Sequence, residues 1–340
     1  MLIRLFAVLA ACFAIAGCAS APSGPRELVT ETFMIPAADP GIRLHVRNKR
    51  PAGQDQFSPD RILLMVHGAT YPSETGFDID LPGGSWMENI ARQGFDVYFV
   101  DVRGYGRSSR PAAMDQPPAA NPPFADTRDA VKDVSAAVDF ILARRNVPRI
   151  DLLGWSWGTT IMAGYAAENP AKVERLVLFA PVWHFSSPIT YAGAYRTTNG
   201  EQLRPRRGPG IPPARLEETS PVAWFDKWWE ANLATDPVGA TRNPPVLRSP
   251  NGVMKDLAEV WSKSQSTYDP GAIRAPTLVI VGEWDGVTPP SLAQELFKHL
   301  TAAKYRRLVI LSEGSHSISL EKNRMHLMRE VQHFLEEPAN

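Results

Sequence analysis

The sequence predicts an α/β fold: a mostly parallel, doubly wound sheet with a helical cap inserted in the second half of the chain. Three observations carry this. The runs Arg61 to Val66, Phe95 to Val100, Ile150 to Leu153 and Val173 to Phe179 are short and mostly apolar, and the first is unbroken after Arg61, as in strands buried on both faces. Segments of helical spacing separate them, so the order is βαβα. From Pro181 to about Ala275 the alternation breaks down and prolines and five tryptophans accumulate, before strand–helix order resumes at Thr277.

At 340 residues, with 36 Lys plus Arg against 36 Asp plus Glu, the chain has ample material for a core and no net charge. That balance offers no footprint for nucleic acid. The only basic cluster, Arg204, Arg206 and Arg207, reads as solvated loop.

The N-terminus carries an address. Arg4 precedes an apolar run from Leu5 to Ala16, too short to span a bilayer but suited to the core of a secretory signal. Its end, Ile15-Ala16-Gly17-Cys18, resembles the lipobox of bacterial lipoproteins, in which the cysteine becomes the lipidated first residue. Cys12 falls in the discarded part, so Cys18 is the one thiol left and no internal disulfide can form. The resemblance implies an exported lipoprotein held on a membrane through Cys18. Ala19 rather than Asp after the cysteine is, by the same resemblance, compatible with outer-membrane sorting, and the membrane and face that hold the anchor stay open. Residues 1–17 are thus expected to be the signal peptide. Residues 18–27, rich in Ala, Ser, Pro and Gly, are a tether of at most about 30 Å.

The folded part is expected from residue 28. Thr32 to Ile35 and Ile42 to Val46 read as an antiparallel edge pair around the turn Asp39-Pro40-Gly41. The Arg61–Val66 strand runs into His67-Gly68-Ala69, and a helix over Ser85 to Gln93 leads to the Phe95–Val100 strand. Asp126 to Arg145 is helical through Val131, Val134, Val138, Ile141 and Leu142, with Asp126 or Thr127 as N-cap. Gly154-Trp155-Ser156-Trp157-Gly158 fills the junction between the Ile150 strand and a helix from Thr159 to Glu168. In the cap, Val222 to Leu233 and Met254 to Ser264 are helical candidates with no strand between them. Thr277 to Val281, Ser291 to Leu300, Arg306 to Leu311 and Leu320 to Leu335 then complete the strand–helix order. The division is a core over 28–181 and 276–340, with the cap over 182–275.

A serine at a sharp strand-to-helix turn has its hydroxyl pushed out of the sheet, and the Gly-x-Ser-x-Gly spacing lets the backbone make that turn. With His67-Gly68 after one strand, Asp101-Val102-Arg103-Gly104-Tyr105-Gly106-Arg107-Ser108 after the next, and Gly282-Glu283-Trp284-Asp285 with Pro289 after a later one, the chain resembles the α/β-hydrolase family from about Thr32 to Leu335, the cap excepted. The resemblance implies a Ser-Asp-His order, which Ser156, Asp285 and His316 follow. It also implies an oxyanion hole from the backbone N–H groups of Ala69 and Trp157. Glu283 and Asp101 compete for the acid role. Asp101 is expected to hold its own Gly-rich turn, and no carboxylate stands in Ala180-Pro181-Val182, the other place the family puts its acid.

Among the other histidines, His67 is expected to brace the oxyanion loop and His184 is a candidate for the pocket wall, while His45, His299, His326 and His333 sit on secondary structure. Trp224, Phe225, Trp228 and Trp229 lie close to one helical face; most are expected to pack in the core and one or two to face the pocket, and an aromatic-lined site points to an apolar acyl or aryl ester. Trp155 and Trp157 suit either the pocket wall or the packing beneath it. The resulting expectation is a serine esterase that needs no cofactor or metal and takes a small-molecule ester. Its rivals are a proline-iminopeptidase-like aminopeptidase, a carbon–carbon bond hydrolase, and a non-catalytic binding module. Against the first, His67-Gly68-Ala69-Thr70-Tyr71 departs from that family's His-Gly-Gly-Pro-Gly loop.

Overall fold

The mostly apolar runs form the middle of an eight-stranded sheet. A computed structural model describes residues 26–184 and 189–338. The signal segment, Cys12, Cys18 and most of the tether lie outside the described residues. The strands of the sheet are β1 (Leu28–Pro36), β2 (Arg43–Pro51), β3 (Ile62–Val66), β4 (Asp96–Val100), β5 (Ile150–Trp155) and β6 (Val173–Phe179), with β9 (Thr277–Gly282) and β10 (Arg306–Leu311) beyond the cap. They lie in the order β1-β2-β4-β3-β5-β6-β9-β10. The β1–β2 and β2–β4 pairs are antiparallel, and all other pairs are parallel.

Both faces of the sheet are covered, which is why its strands carry no polar alternation. Leu64, Val66, Leu152 and Val279 pack on one side with the helices Thr127–Arg145, Trp157–Glu168 and Pro290–His299. Leu63, Met65, Leu153 and Ile280 pack on the other with Trp86–Arg92 and Arg324–Glu336. Each such side chain withdrawn from water contributes about 1.5–3 kcal/mol. Local signals set the helix starts. Ser85 Oγ accepts from Glu88 N at 3.1 Å, and Asp126, rather than Thr127, caps its helix by accepting from Asp129 N at 3.1 Å.

Chain order reverses direction in the sheet at β3, whose neighbours are β4 on one side and β5 on the other. The loops leaving the carboxyl ends of β3 and β5 therefore diverge and leave a crevice between them, the usual location of a ligand site in such sheets. His67 to Tyr71 and Ser156 stand at those two ends.

The inserted segment is not purely helical. Besides the helices Val222–Leu233 and Gly252–Glu259, it contains an antiparallel pair, β7 (Tyr195–Asn199) with β8 (Val246–Pro250). This corrects the expectation of helices without strands. The two strands are held by long-range pairing between short, polar segments, which leave no apolar pattern. A buried ion pair locks the strand pair to the helical part, with Arg248 Nη2 donating to Asp236 Oδ1 at 2.7 Å and Arg248 N to Asp236 Oδ2 at 2.9 Å. Among the described residues, no helix is long and apolar enough to cross a membrane.

Candidate active site

Ser156 occupies the tip of the β5-to-helix turn with φ 56° and ψ −121°, a region that side chains other than glycine seldom enter. Gly154 and Gly158 permit this by close approach rather than by unusual dihedrals. A Cβ on Gly154 would meet the Gly158 carbonyl oxygen at 2.2 Å, and one on Gly158 would meet the Val66 carbonyl oxygen at 2.5 Å. The turn is tied to the sheet by Ser156 N donating to Phe179 O at 2.9 Å.

The structure brings Ser156, His316 and Asp285 together. His316 Nε2 stands 3.0 Å from Ser156 Oγ, and its Nδ1 stands 2.9 Å and 3.1 Å from the two Asp285 oxygens. An Nδ1 that faces a carboxylate carries the proton, which leaves Nε2 free to accept from the serine hydroxyl. Asp285 is buried, and its Oδ1 also accepts from Val287 N at 2.9 Å and Thr288 N at 2.7 Å. The rival acid, Glu283, is exposed and accepts from Glu313 N instead.

Two supporting residues, Thr288 and Glu321, and the hydrogen bond made by Trp155 escaped the sequence reading. The Thr288 hydroxyl lies 2.9 Å from Asp285 Oδ2 and 3.1 Å from the Ala180 carbonyl. The Asp-x-x-Thr spacing, in which a carboxylate accepts from N–H groups two and three residues on, was the available signal. Trp155 Nε1 donates to the His316 carbonyl at 3.0 Å. Glu321 accepts from both Ser315 N and Ser315 Oγ, and burial pushes its carboxyl up to about 7 even though those two hydrogen bonds oppose the shift.

The loop after β3 is braced from beneath. His67 Nδ1 donates to Gly68 O at 2.7 Å and its Nε2 accepts from Val102 N at 3.1 Å, which defines a neutral tautomer, and burial lowers its pKa. Asp101 accepts from Arg107 N and Ser73 N and pairs with His45 Nδ1 at 2.8 Å, so it holds its turn and lies outside the serine–histidine relay. Burial would raise the Asp101 pKa, but the hydrogen bond and charge of His45 outweigh it and lower it overall. Trp157 directly follows Ser156 and begins its helix, so no turn precedes it to take up its N–H, and Ala69 lines the same cavity as Ser156.

Thr70, next in the loop, has φ 86°, a costly conformation for a β-branched residue. The cap strand pair grips it on two sides. Ser249 Oγ donates to Thr70 O at 2.9 Å, and Arg196 Nη2 donates to Thr70 Oγ1 at 2.6 Å.

Above Ser156 and His316 the cap encloses a cavity of about 340 Å³. Its walls are largely apolar, with Tyr71, Trp224, Phe225, Trp228, Met254 and Leu257 prominent. Trp229 turns away from it, against Gly200. Trp155 and Trp157 are packing residues: the first stacks on Phe179 and the second donates from Nε1 to Thr127 Oγ1 at 2.9 Å. His184 stacks on Trp183 outside the cavity, contrary to expectation. The basic cluster also needs correcting. Arg204 is exposed and pairs with Asp226, but Arg206 and Arg207 join the cavity wall because the loop folds back over it.

The family profile described as "Serine aminopeptidase, S33" matches residues 58–323. The chain belongs to this family of α/β-hydrolases. The hydrolase is 25% identical over 209 residues to a pimeloyl-[acyl-carrier protein] methyl ester esterase of Neisseria meningitidis, a match covering 61% of this chain and 75% of that one. It is also 25% identical over 291 residues to the serine hydrolase BPHL of Homo sapiens, covering 82% and 79%. Among solved structures, a thermophilic esterase from Thermogutta terrifontis superposes with a TM-score of 0.59 at 17% identity over 90% of this chain and 98% of that one, a likeness of fold. The hydrolase thus shares its mostly parallel sheet with enzymes of this superfamily.

Proposed function

We propose that this hydrolase cleaves carboxylic esters through an acyl-enzyme on Ser156. The observation that carries the reading is the continuous relay from Ser156 Oγ to His316 Nε2 at 3.0 Å and from His316 Nδ1 to Asp285 at 2.9 Å. A serine hydroxyl is a weak nucleophile until a base takes its proton as it attacks. In this mechanism Ser156 Oγ bonds to the ester carbonyl carbon, the proton passes to His316 Nε2, and Asp285 stabilises the imidazolium. The Ala69 and Trp157 N–H groups receive the developing oxyanion, each such donor contributing about 3 kcal/mol in comparable sites. Collapse expels the alcohol, which takes the proton from Nε2. Water, deprotonated by His316, then attacks the acyl carbon and releases the acid and Ser156.

The cavity supports an ester over a peptide with a free N-terminus. An ammonium group calls for a carboxylate, and among the described residues the cavity wall contains none, whereas it contains three arginines. The esterase named among the relatives is consistent with the same choice. The lipid anchor at Cys18 belongs to this reading on sequence grounds alone. The test is hydrolysis of short p-nitrophenyl esters by the wild-type and Ser156→Ala proteins, with a fluorophosphonate label mapped by mass spectrometry. The reading requires activity that Ser156→Ala abolishes and a label on Ser156. A label on another residue, or unchanged turnover, overturns it.

A further inference from the structure

The cavity is apolar along most of its wall, yet two guanidinium groups that no carboxylate neutralises stand in it. Arg196 reaches from β7 to the oxyanion loop, where Nη1 donates to Pro250 O and Nη2 to Thr70 Oγ1, both at 2.6 Å and both to neutral acceptors. Arg206 donates through Nε to Gln202 O at 3.2 Å, again a neutral acceptor. Neither has an ion-pair partner among the described residues, although the chain pairs most of its other arginines, Arg207 with Glu217 among them. Both share the cavity wall with Tyr71. Burial pushes that phenol up to about 12, and Arg196 and Arg206 are the two groups that pull it back.

An unneutralised cation in a largely apolar enclosure is unfavourable unless an anion completes it. That cost falls on Arg196, which is half-buried among the aromatic and aliphatic wall; Arg206 lines the same cavity but is exposed, and adds a second positive charge there. From this we infer that the ester cleaved here carries an anionic group, a carboxylate or a phosphate, at the end of an apolar chain, and that Arg196 with Arg206 binds it. The inference rests on the ester reading above and narrows its substrate class. Arg196 then has three contacts to make, to Pro250 O, to Thr70 and to the anion, through different N–H groups of its five.

The test compares ligands that differ in one charge. Monomethyl and dimethyl esters of the four-, six- and eight-carbon diacids, with methyl 6-phosphonooxyhexanoate as the phosphate arm, are titrated against the Ser156→Ala protein. The readout is quenching of the tryptophans in the cavity wall. One length of anionic ester should bind at least about tenfold more tightly than its neutral counterpart, the yield of one charge-assisted hydrogen bond. Added NaCl should erode that preference and leave the neutral ester unaffected. Arg196→Gln and Arg206→Gln should each bring the anionic-to-neutral ratio toward one, with Arg196→Lys restoring part of it. A purely structural Arg196 would weaken both ligands alike and leave the ratio intact. Arg206, being exposed, tests the charge without risk to folding. Whichever of the carboxylate and phosphate arms binds more tightly identifies the anion. Equal or weaker binding of every anionic ester overturns the inference while leaving ester hydrolysis standing. Selective binding by a protein that hydrolyses no ester would uphold the anion site and overturn the ester reading instead.

Discussion

Trp155 Nε1 donates to the main-chain carbonyl of His316 at 3.0 Å, so the strand that carries the nucleophile also holds the loop that carries the base. Trp155→Phe keeps an aromatic ring against Phe179 and removes the donor. The buried carbonyl then lacks its partner, a loss of about 1–3 kcal/mol. The expected result is a lower urea midpoint with an unchanged slope, together with a fall in kcat. An unchanged midpoint would show that the bond contributes nothing to holding the loop.

Thr288→Val replaces the hydroxyl beside Asp285 by a methyl of similar volume. The carboxylate loses one neighbour and the Ala180 carbonyl is left short of a donor. Steady-state kinetics on a p-nitrophenyl ester should show kcat reduced by about tenfold, the equivalent of one hydrogen bond to a charged group. KM should change little, since Thr288 does not line the cavity. A change confined to KM would contradict this role.

Glu321 makes the fold sensitive to pH in an uncommon direction. Its carboxyl is raised from 4.5 to about 7, so between those values the native state binds more protons than the unfolded chain. Stability therefore falls as pH rises from about 4.5 to 7, and the deficit above pH 7 is at most about 3 kcal/mol. Glu321→Gln does not titrate. Its Tm should exceed the wild-type value by several degrees at pH 8, with the advantage disappearing below about pH 5. Parallel Tm profiles for the two proteins would refute it.

Ser249→Ala removes one of the two contacts that hold Thr70 at φ 86°. The neighbouring Ala69 N–H then loses part of its positioning. We expect kcat/KM to fall several-fold, with fluorophosphonate labelling slowed in proportion. Full labelling rates would separate the strand pair from the oxyanion loop functionally.

Cys18→Ala tests the anchor expected from the N-terminal sequence. On fractionation of a bacterial host, the wild-type chain should follow the membranes and the variant should not. Metabolic incorporation of a labelled fatty acid should require Cys18.

Much of the fold was legible because strands buried on both faces leave largely apolar runs, as Ile62–Val66 does. Ser156, Asp285 and His316 could be singled out because each follows a recognisable strand, and their convergence is a property of the sheet. The antiparallel pair of β7 and β8 could not. Tyr-Arg-Thr-Thr-Asn and Val-Leu-Arg-Ser-Pro have no shared period and meet only after the long intervening segment has folded. The same closure hides Arg196 and Arg206, whose relation to Ser156 depends on how the insertion returns over the sheet. Thr288 lay within reach of the sequence, three residues beyond Asp285, and Glu321 had no local pattern to mark it.

The grip of Arg196 and Ser249 on Thr70 has a consequence for exchanging parts between relatives. A donor insertion grafted onto this sheet would bring its own walls but, without an arginine and a hydroxyl at these two places, would leave a threonine in a costly conformation with nothing to hold it there. Chimeras should retain turnover only when those two side chains travel with the graft, or when Thr70 is changed to glycine to remove the need for them.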